Sequence, residues 1–143
     1  EIEGKVVIWA HWQKDVQIIK EGRLPVATGE NLHSIYEFKH IISAGGVSFP
    51  EPDVATIGGI TPWMKVAALA EAYNLPITSH GVHDIHVQLL AAIPNASYLE
   101  VHGFNLNEFI KSPLGFVNGS ALAPDKPGHG VDFDRESLEF YLV

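Results

Sequence analysis

Four ionisable residues, Glu30, Asp53, His80 and Glu100, stand at the ends of four consecutive strand-like runs. His80 follows Ile77-Thr78-Ser79 and precedes Gly81, where a buried strand emerges into a loop. Asp53 follows Val47-Ser48-Phe49 and the short Pro50-Glu51-Pro52 connection. Glu100 ends Ser97-Tyr98-Leu99, and Glu30 ends Pro25-Val26-Ala27-Thr28-Gly29. A histidine titrates near neutrality and can both take and return a proton. A set of three carboxylates and one histidine therefore points to acid–base chemistry, provided that the fold brings the four together.

The spacing says how it would. The four residues are separated by 23, 27 and 20 positions. A (β/α)8 barrel of about 250 residues gives roughly 30 residues to each βα unit, and the C-terminal ends of its strands converge on the catalytic face. The intervals suit compact βα units. The elements between the strands agree. Apolar residues at 32, 35, 36, 38, 41 and 42 predict a helix over 32–44, ended by Gly45-Gly46. Thr61-Pro62 reads as an N-cap followed by proline in the first helical position, and residues 63–73 are rich in strong helix formers. A further helix is expected over 84–93, ended by Pro94-Asn95. Ahead of these, residues 5–9 read as a first strand and 12–21 as a helix with Gly22 as its stop. After Gly103 the texture changes. Residues 105–110 suit one short helix, 119–130 read as a Pro- and Gly-rich loop, and 135–142 as a terminal helix.

The fold expected is α/β, the C-terminal half of a (β/α)8 TIM barrel, with about four to five parallel strands and helices outside. The 143 residues read as a single partial barrel domain: a degenerate first βα unit over 1–23, the motif-bearing units over 24–103 and a closing segment over 104–143. A net charge of −8 argues against nucleic-acid or polybasic membrane surfaces. Cysteine is absent, so neither a disulfide framework nor a thiolate metal site is available, which fits a cytoplasmic location. No apolar run approaches the ~20 residues of a membrane span. The start, Glu1-Ile2-Glu3-Gly4, has no signal-peptide pattern and no initiator Met, so a processed, trimmed or partial chain is expected.

From about Leu24 onward the chain resembles the mandelate racemase/muconate lactonizing enzyme branch of the enolase superfamily, and most of all its acid-sugar dehydratases. The resemblance rests on Pro25 to Asn31, on Pro52-Asp53-Val54 with Gly58-Gly59-Ile60-Thr61, on Ser79-His80-Gly81 and on Tyr98-Leu99-Glu100. The tail Ala123-Pro124-Asp125-Lys126-Pro127-Gly128-His129-Gly130 is similar to that family's closing loop. The resemblance implies a Mg²⁺-dependent enzyme that removes the proton α to the carboxylate of a sugar acid and then eliminates water. It assigns Glu30 to the last metal ligand, His80 to the catalytic base or acid, Asp53 to its dyad partner and Glu100 to the hydrogen-bond donor for the enediolate. Physical chemistry agrees with these assignments. A proton α to a carboxylate is very weakly acidic, so a divalent cation must neutralise the developing dianion, and carboxylate oxygens suit Mg²⁺. A carboxylate on the second ring nitrogen fixes the tautomer of the histidine and raises its basicity. Glu100 has to be protonated to donate, which an anionic pocket favours.

The sequence also departs from the family. The Lys-x-Lys pair, the first Asp ligand and the N-terminal capping domain have no counterpart, and Glu3-Gly4-Lys5 stands where a Glu-Glu-Pro or Glu-Asp-Pro run is usual. Glu3 serves as a metal ligand only after a one-residue shift. A racemase or epimerase on the same scaffold is the nearest alternative, since both reactions begin with the same proton abstraction. Another is a non-catalytic partial chain that covers its open barrel edges by forming a homo-oligomer. A third is a separate chain that supplies the missing half. The sugar acid is the expected small-molecule partner, with no nucleic acid and no membrane. Among the remaining histidines, His83 and His86 stand at helical spacing and raise a zinc pair, against the plainer reading of a helix start with one exposed histidine. His102 follows Glu100 by two and could reach the same mouth, whereas His11, His33, His40 and His129 read as loop or surface residues.

Overall fold

In a computed structural model, residues 21–22, 25–103 and 105–141 are described. Strands β1 (Ala27–Thr28) and β2 (Phe49–Pro50) pair in parallel, Ala27 opposite Phe49 and Thr28 opposite Pro50. The third run joins them through the Thr78 amide, which donates to the Pro50 carbonyl at 3.1 Å. The fourth joins the third through a parallel bridge between Ile77 and Ala96, and the Thr78 hydroxyl donates to the Tyr98 carbonyl at 2.7 Å. The four runs thus lie side by side in chain order and point the same way. They are shorter than the sequence suggests. Only two residues of each of the first two runs hold ladder geometry, and residues 77–79 and 97–100 form no named strand. Pro50, Pro52 and Pro76 each lack the donor that a ladder needs.

Helices fill the connections. Helix α1 (Ile35–Ser43) starts at Ser34, whose hydroxyl accepts from the Glu37 amide while the Glu37 carboxylate accepts from the His33 amide. This reciprocal cap starts the helix three residues later than its apolar stripe. Helix α2 (Ile60–Ala72) is capped at Gly59, not at Thr61, so Pro62 lies inside its first turn, where no backbone donor is required. Helix α3 (His83–Ala91) follows the third run. Phe38 and Ile42 of α1, Trp63, Val66, Ala67 and Ala70 of α2, and Leu89 and Leu90 of α3 form one core with Val47, Val54, Ile57 and Ile77. On α1 and α2 these buried positions recur at helical spacing, and the three helices meet in that one core.

Beyond Gly103 the structure corrects the sequence reading. The helix expected over 105–110 is absent, and Ile110 instead pairs antiparallel with Phe133. A hairpin over 116–121 runs into the start of the loop expected over 119–130. Strands β3 (Phe116–Val117) and β4 (Ser120–Ala121) pair antiparallel across Asn118-Gly119. Both turn residues have positive φ, 49° and 77°, as the tight hairpin turn preferred by Asn-Gly demands. Helix α4 (Arg135–Glu139) begins at Asp134, whose carboxylate accepts from the Glu136 amide. The Gln88 side chain donates to the Pro124 carbonyl and ties this segment to α3. The strand expected over 5–9, the helix over 12–21 apart from Glu21, and Glu3 lie outside the described residues.

Candidate active site

The β2 end and the third run place Asp53 and His80 in contact. The His80 Nδ1 lies 3.0 Å from Asp53 Oδ2. The other carboxylate oxygen of Asp53 accepts from the Ala55 amide at 2.7 Å, so the carboxylate is fixed at both ends. The Asp53 side chain is 9 % exposed and that of His80 is 27 % exposed. With Nδ1 donating to Asp53, Nε2 is the ring nitrogen available for proton exchange. Glu100 is fixed on the same loop, because its Oε2 accepts from the Gly81 amide at 2.7 Å and its own amide donates to the Ser79 hydroxyl. Gly81 is required where it stands. Its φ is +63°, and a Cβ there would meet Asp53 Oδ2 at 2.9 Å.

Two buried side chains hold the dyad in place. The Trp63 indole donates to the Pro52 carbonyl at 2.9 Å. His86, fully buried in α3, accepts from the Val54 amide at Nε2 and pairs through Nδ1 with the Gly81 carbonyl, both at 2.9 Å. One imidazole therefore ties the residue after Asp53 to the residue after His80. Burial pushes the His86 pKa down and keeps the ring neutral, the form in which one nitrogen donates and the other accepts. This corrects the expectation for the His83–His86 pair. Both are buried, neither is the exposed residue of a helix start, and His86 has both nitrogens committed to backbone groups, so the pair offers no zinc site. His83 lies 3.8 Å from the buried Asp84, away from the dyad contacts.

Glu30 sits at the end of β1, with its carboxylate accepting from the Gly29 amide and the Asn31 side chain, each at 3.1 Å. Its neighbourhood is anionic, as Glu51 records. The Glu51 pKa is pushed up to about 7, first by burial, then by the charges of Glu100 and Glu30, with His80 acting the other way. The sequence reading passed over Glu51 as a connecting residue. Its position two residues before Asp53, at a strand end, is the available signal. His102 also reaches the mouth, with its ring centroid 5.4 Å from that of His80.

Glu51 and His86 leave opposite signatures in the pH dependence of stability. Glu51 binds its proton more tightly folded than unfolded. Its contribution is full below about pH 4.5 and is lost as pH rises through about 7. His86 binds its proton less tightly folded, so its contribution is present above 6.5 and is lost as pH falls below that value. Denaturant unfolding at several pH values should show Glu51→Gln gaining on the parent as pH rises from 4.5 to 7. An equal difference at both ends would contradict the account.

The parallel order of the runs and the strand-end acids set the frame for comparison with known proteins. The family model described as enolase C-terminal domain-like matches residues 8–137. The chain belongs to that family. Its relatives place it in the mandelate racemase/muconate lactonizing branch of the enolase superfamily, and its fold is part of a TIM barrel. A 3,6-anhydro-α-L-galactonate cycloisomerase from Streptomyces coelicolor is 48 % identical over 124 residues, which are 87 % of this chain and 34 % of that enzyme. A D-galactonate dehydratase from Xanthomonas euvesicatoria is 34 % identical over 130 residues, covering 81 % of this chain and 34 % of the enzyme. Among solved structures, a racemase from Streptomyces coelicolor with bound magnesium superposes with a TM-score of 0.83 at 45 % identity, over 90 % of this chain and 35 % of that one. An L-talarate dehydratase from a Polaromonas species, complexed with Mg and L-glucarate, gives 0.80 at 30 % identity, over 87 % and 35 %. The chain thus spans about a third of the length of the relatives it matches.

Proposed function

We propose that this enolase-superfamily chain supplies the proton-transfer side of an active site acting on a sugar acid: α-proton abstraction followed by loss of water. The observation that carries the reading is the Asp53–His80 pair at 3.0 Å, with Glu100 anchored on the next backbone amide. In this reading His80 Nε2 takes the proton from the carbon α to the carboxylate, or returns one to the departing β-hydroxyl. Asp53 holds the ring in the tautomer that leaves Nε2 available and stabilises the imidazolium once formed. Glu100, held on the Gly81 amide from the end of the fourth run, donates to the enediolate when protonated. Loss of the α-proton and the β-hydroxyl leaves an enol, which becomes a 2-keto-3-deoxy acid. Residues 24–103 would carry these groups, 104–143 would close the unit and 1–23 would precede it.

The residues also fit a divalent cation. Glu30 offers hard oxygen donors, and the repulsion that Glu30 and Glu100 exert on Glu51 is what such a charge relieves. Glu30 would hold Mg²⁺, with Glu3 as a further ligand by the sequence reading. Bound there, the ion supplies charge stabilisation to the substrate carboxylate. The reading is tested by replacing the matching third of the Streptomyces coelicolor cycloisomerase with this chain, then following aldonic and aldaric acids by proton NMR in D2O with Mg²⁺. Loss of the α-proton signal with a 2-keto-3-deoxy product is expected. α-Proton exchange without elimination favours the racemase or epimerase reading, for which the similarity to a racemase structure speaks. No exchange from a folded chimaera contradicts both.

Self-association is the second element of the proposal. Tyr98, Val101, Phe116, Val117 and Leu122 are large apolar residues exposed in the chain by itself. Light scattering is expected to give a dimer or larger assembly, and a monodisperse monomer would contradict it.

A further inference from the structure

We propose that His80, Glu100 and His102 form a site for a borderline transition ion such as Zn²⁺, distinct from the oxygen-donor position at Glu30. One ligand atom from each of the three residues lies within 4.8 Å of the other two. Bond lengths of about 2.0–2.2 Å to nitrogen and oxygen put neighbouring ligands of a tetrahedral zinc roughly 3.3–3.5 Å apart, so small side-chain rotations close the set. Two imidazoles and one carboxylate are the donor set of open, three-ligand zinc sites, whereas Mg²⁺ prefers oxygen alone.

Each ligand is already oriented. The His80 Nδ1 is engaged by Asp53 at 3.0 Å, which leaves Nε2 as the nitrogen for an ion, and carboxylate, imidazole and metal would then form the outer-shell triad that raises ligand basicity. Glu100 has one oxygen fixed on the Gly81 amide at 2.7 Å, which leaves the other for the ion. The His102 ring is tilted 59° to that of His80 at a centroid distance of 5.4 Å, which suits two edges meeting at one point rather than a stack. All three side chains are half-buried, open enough for an ion to enter and enclosed enough to limit competition from water.

Occupation has a chemical consequence. The ion takes the His80 Nε2 lone pair, which the proposed proton transfer needs, so Zn²⁺ blocks that step. Metal binding itself does not depend on the functional reading and is measured without turnover.

The test is a titration of the metal-free chain with Co²⁺, read by the visible absorption of a four-coordinate ion, in excess Mg²⁺. One ion per chain is expected, displaced by Zn²⁺ and not by Mg²⁺. His102→Ala and His80→Ala should each abolish the four-coordinate spectrum while circular dichroism stays unchanged. Asp53→Asn should weaken binding roughly tenfold through the loss of the outer-shell partner. Glu30→Gln should leave it unaltered. A spectrum that survives His102→Ala, disappears in Glu30→Gln or yields to Mg²⁺ overturns the proposal, as does the absence of binding.

Discussion

His80→Asn is expected to slow α-proton exchange by about 10²–10⁴-fold in the assembled barrel, the usual contribution of a positioned acid–base group. Asparagine fills much of the same space and can still meet Asp53, but it has no lone pair basic enough to take the proton. Asp53→Asn should also impair exchange, by a different route. The His80 Nδ1 would then face an amide that offers a donor as readily as an acceptor, and the tautomer would no longer be fixed. The two losses should be strongly non-additive, since the residues act as one unit. Rates from the loss of the α-proton signal in D2O check this. A double variant whose loss equals the product of the two single losses would contradict a coupled dyad.

Trp63→Ala is expected to have the largest effect on stability, because two costs coincide at one residue. Trp63 is fully buried at the centre of the core, and truncating a large buried aromatic costs about 3–5 kcal/mol through lost transfer energy and the cavity left behind. Its indole also donates to the Pro52 carbonyl, and orphaning a buried acceptor adds about 1–3 kcal/mol. Trp63→Phe separates the terms, since it keeps much of the volume and loses the donor. Urea unfolding should show the alanine variant losing clearly more than the phenylalanine variant. Equal losses would mean that packing contributes little here. Because Pro52 adjoins Asp53, the phenylalanine variant should slow proton exchange while remaining folded.

The sequence carried the site residues more legibly than the elements that hold them. Asp53, His80 and Glu100 could be read from their places after apolar runs and from the family motifs, and the structure brings these three together. Strand extents could not be read as well. β-branched runs announce a strand, but Pro50, Pro52 and Pro76 withdraw the ladder donors, and this decides how far each strand extends. Thr61-Pro62 satisfies a local rule for the start of α2, yet the helix starts after Gly59, which at φ 110° supplies the bend that the preceding loop requires. The Asn118-Gly119 pair is a turn signal that the loop boundary at Gly119 splits, so the hairpin goes unread. His86 is the instructive case. A histidine on a helix can be a ligand, a surface residue or a core residue, and the sequence alone does not distinguish them. Only the packing shows that its two nitrogens face backbone groups from two different strand ends. Glu51 is similar, since its raised pKa comes first from burial, which packing decides, and then from Glu100 and Glu30, 49 and 21 positions away in the chain.

The central claim is that this part of the barrel assembles the Asp53–His80 pair by itself. Long-range proton–nitrogen NMR on the chain with ¹⁵N-labelled histidine tests it most directly. Neutral His80 is expected to be held as the Nδ1–H tautomer, with a slowly exchanging Nδ1 proton, and Asp53→Asn to release it to a mixture of tautomers. A His80 ring that already averages its tautomers in the parent chain, with no change in Asp53→Asn, would contradict the account.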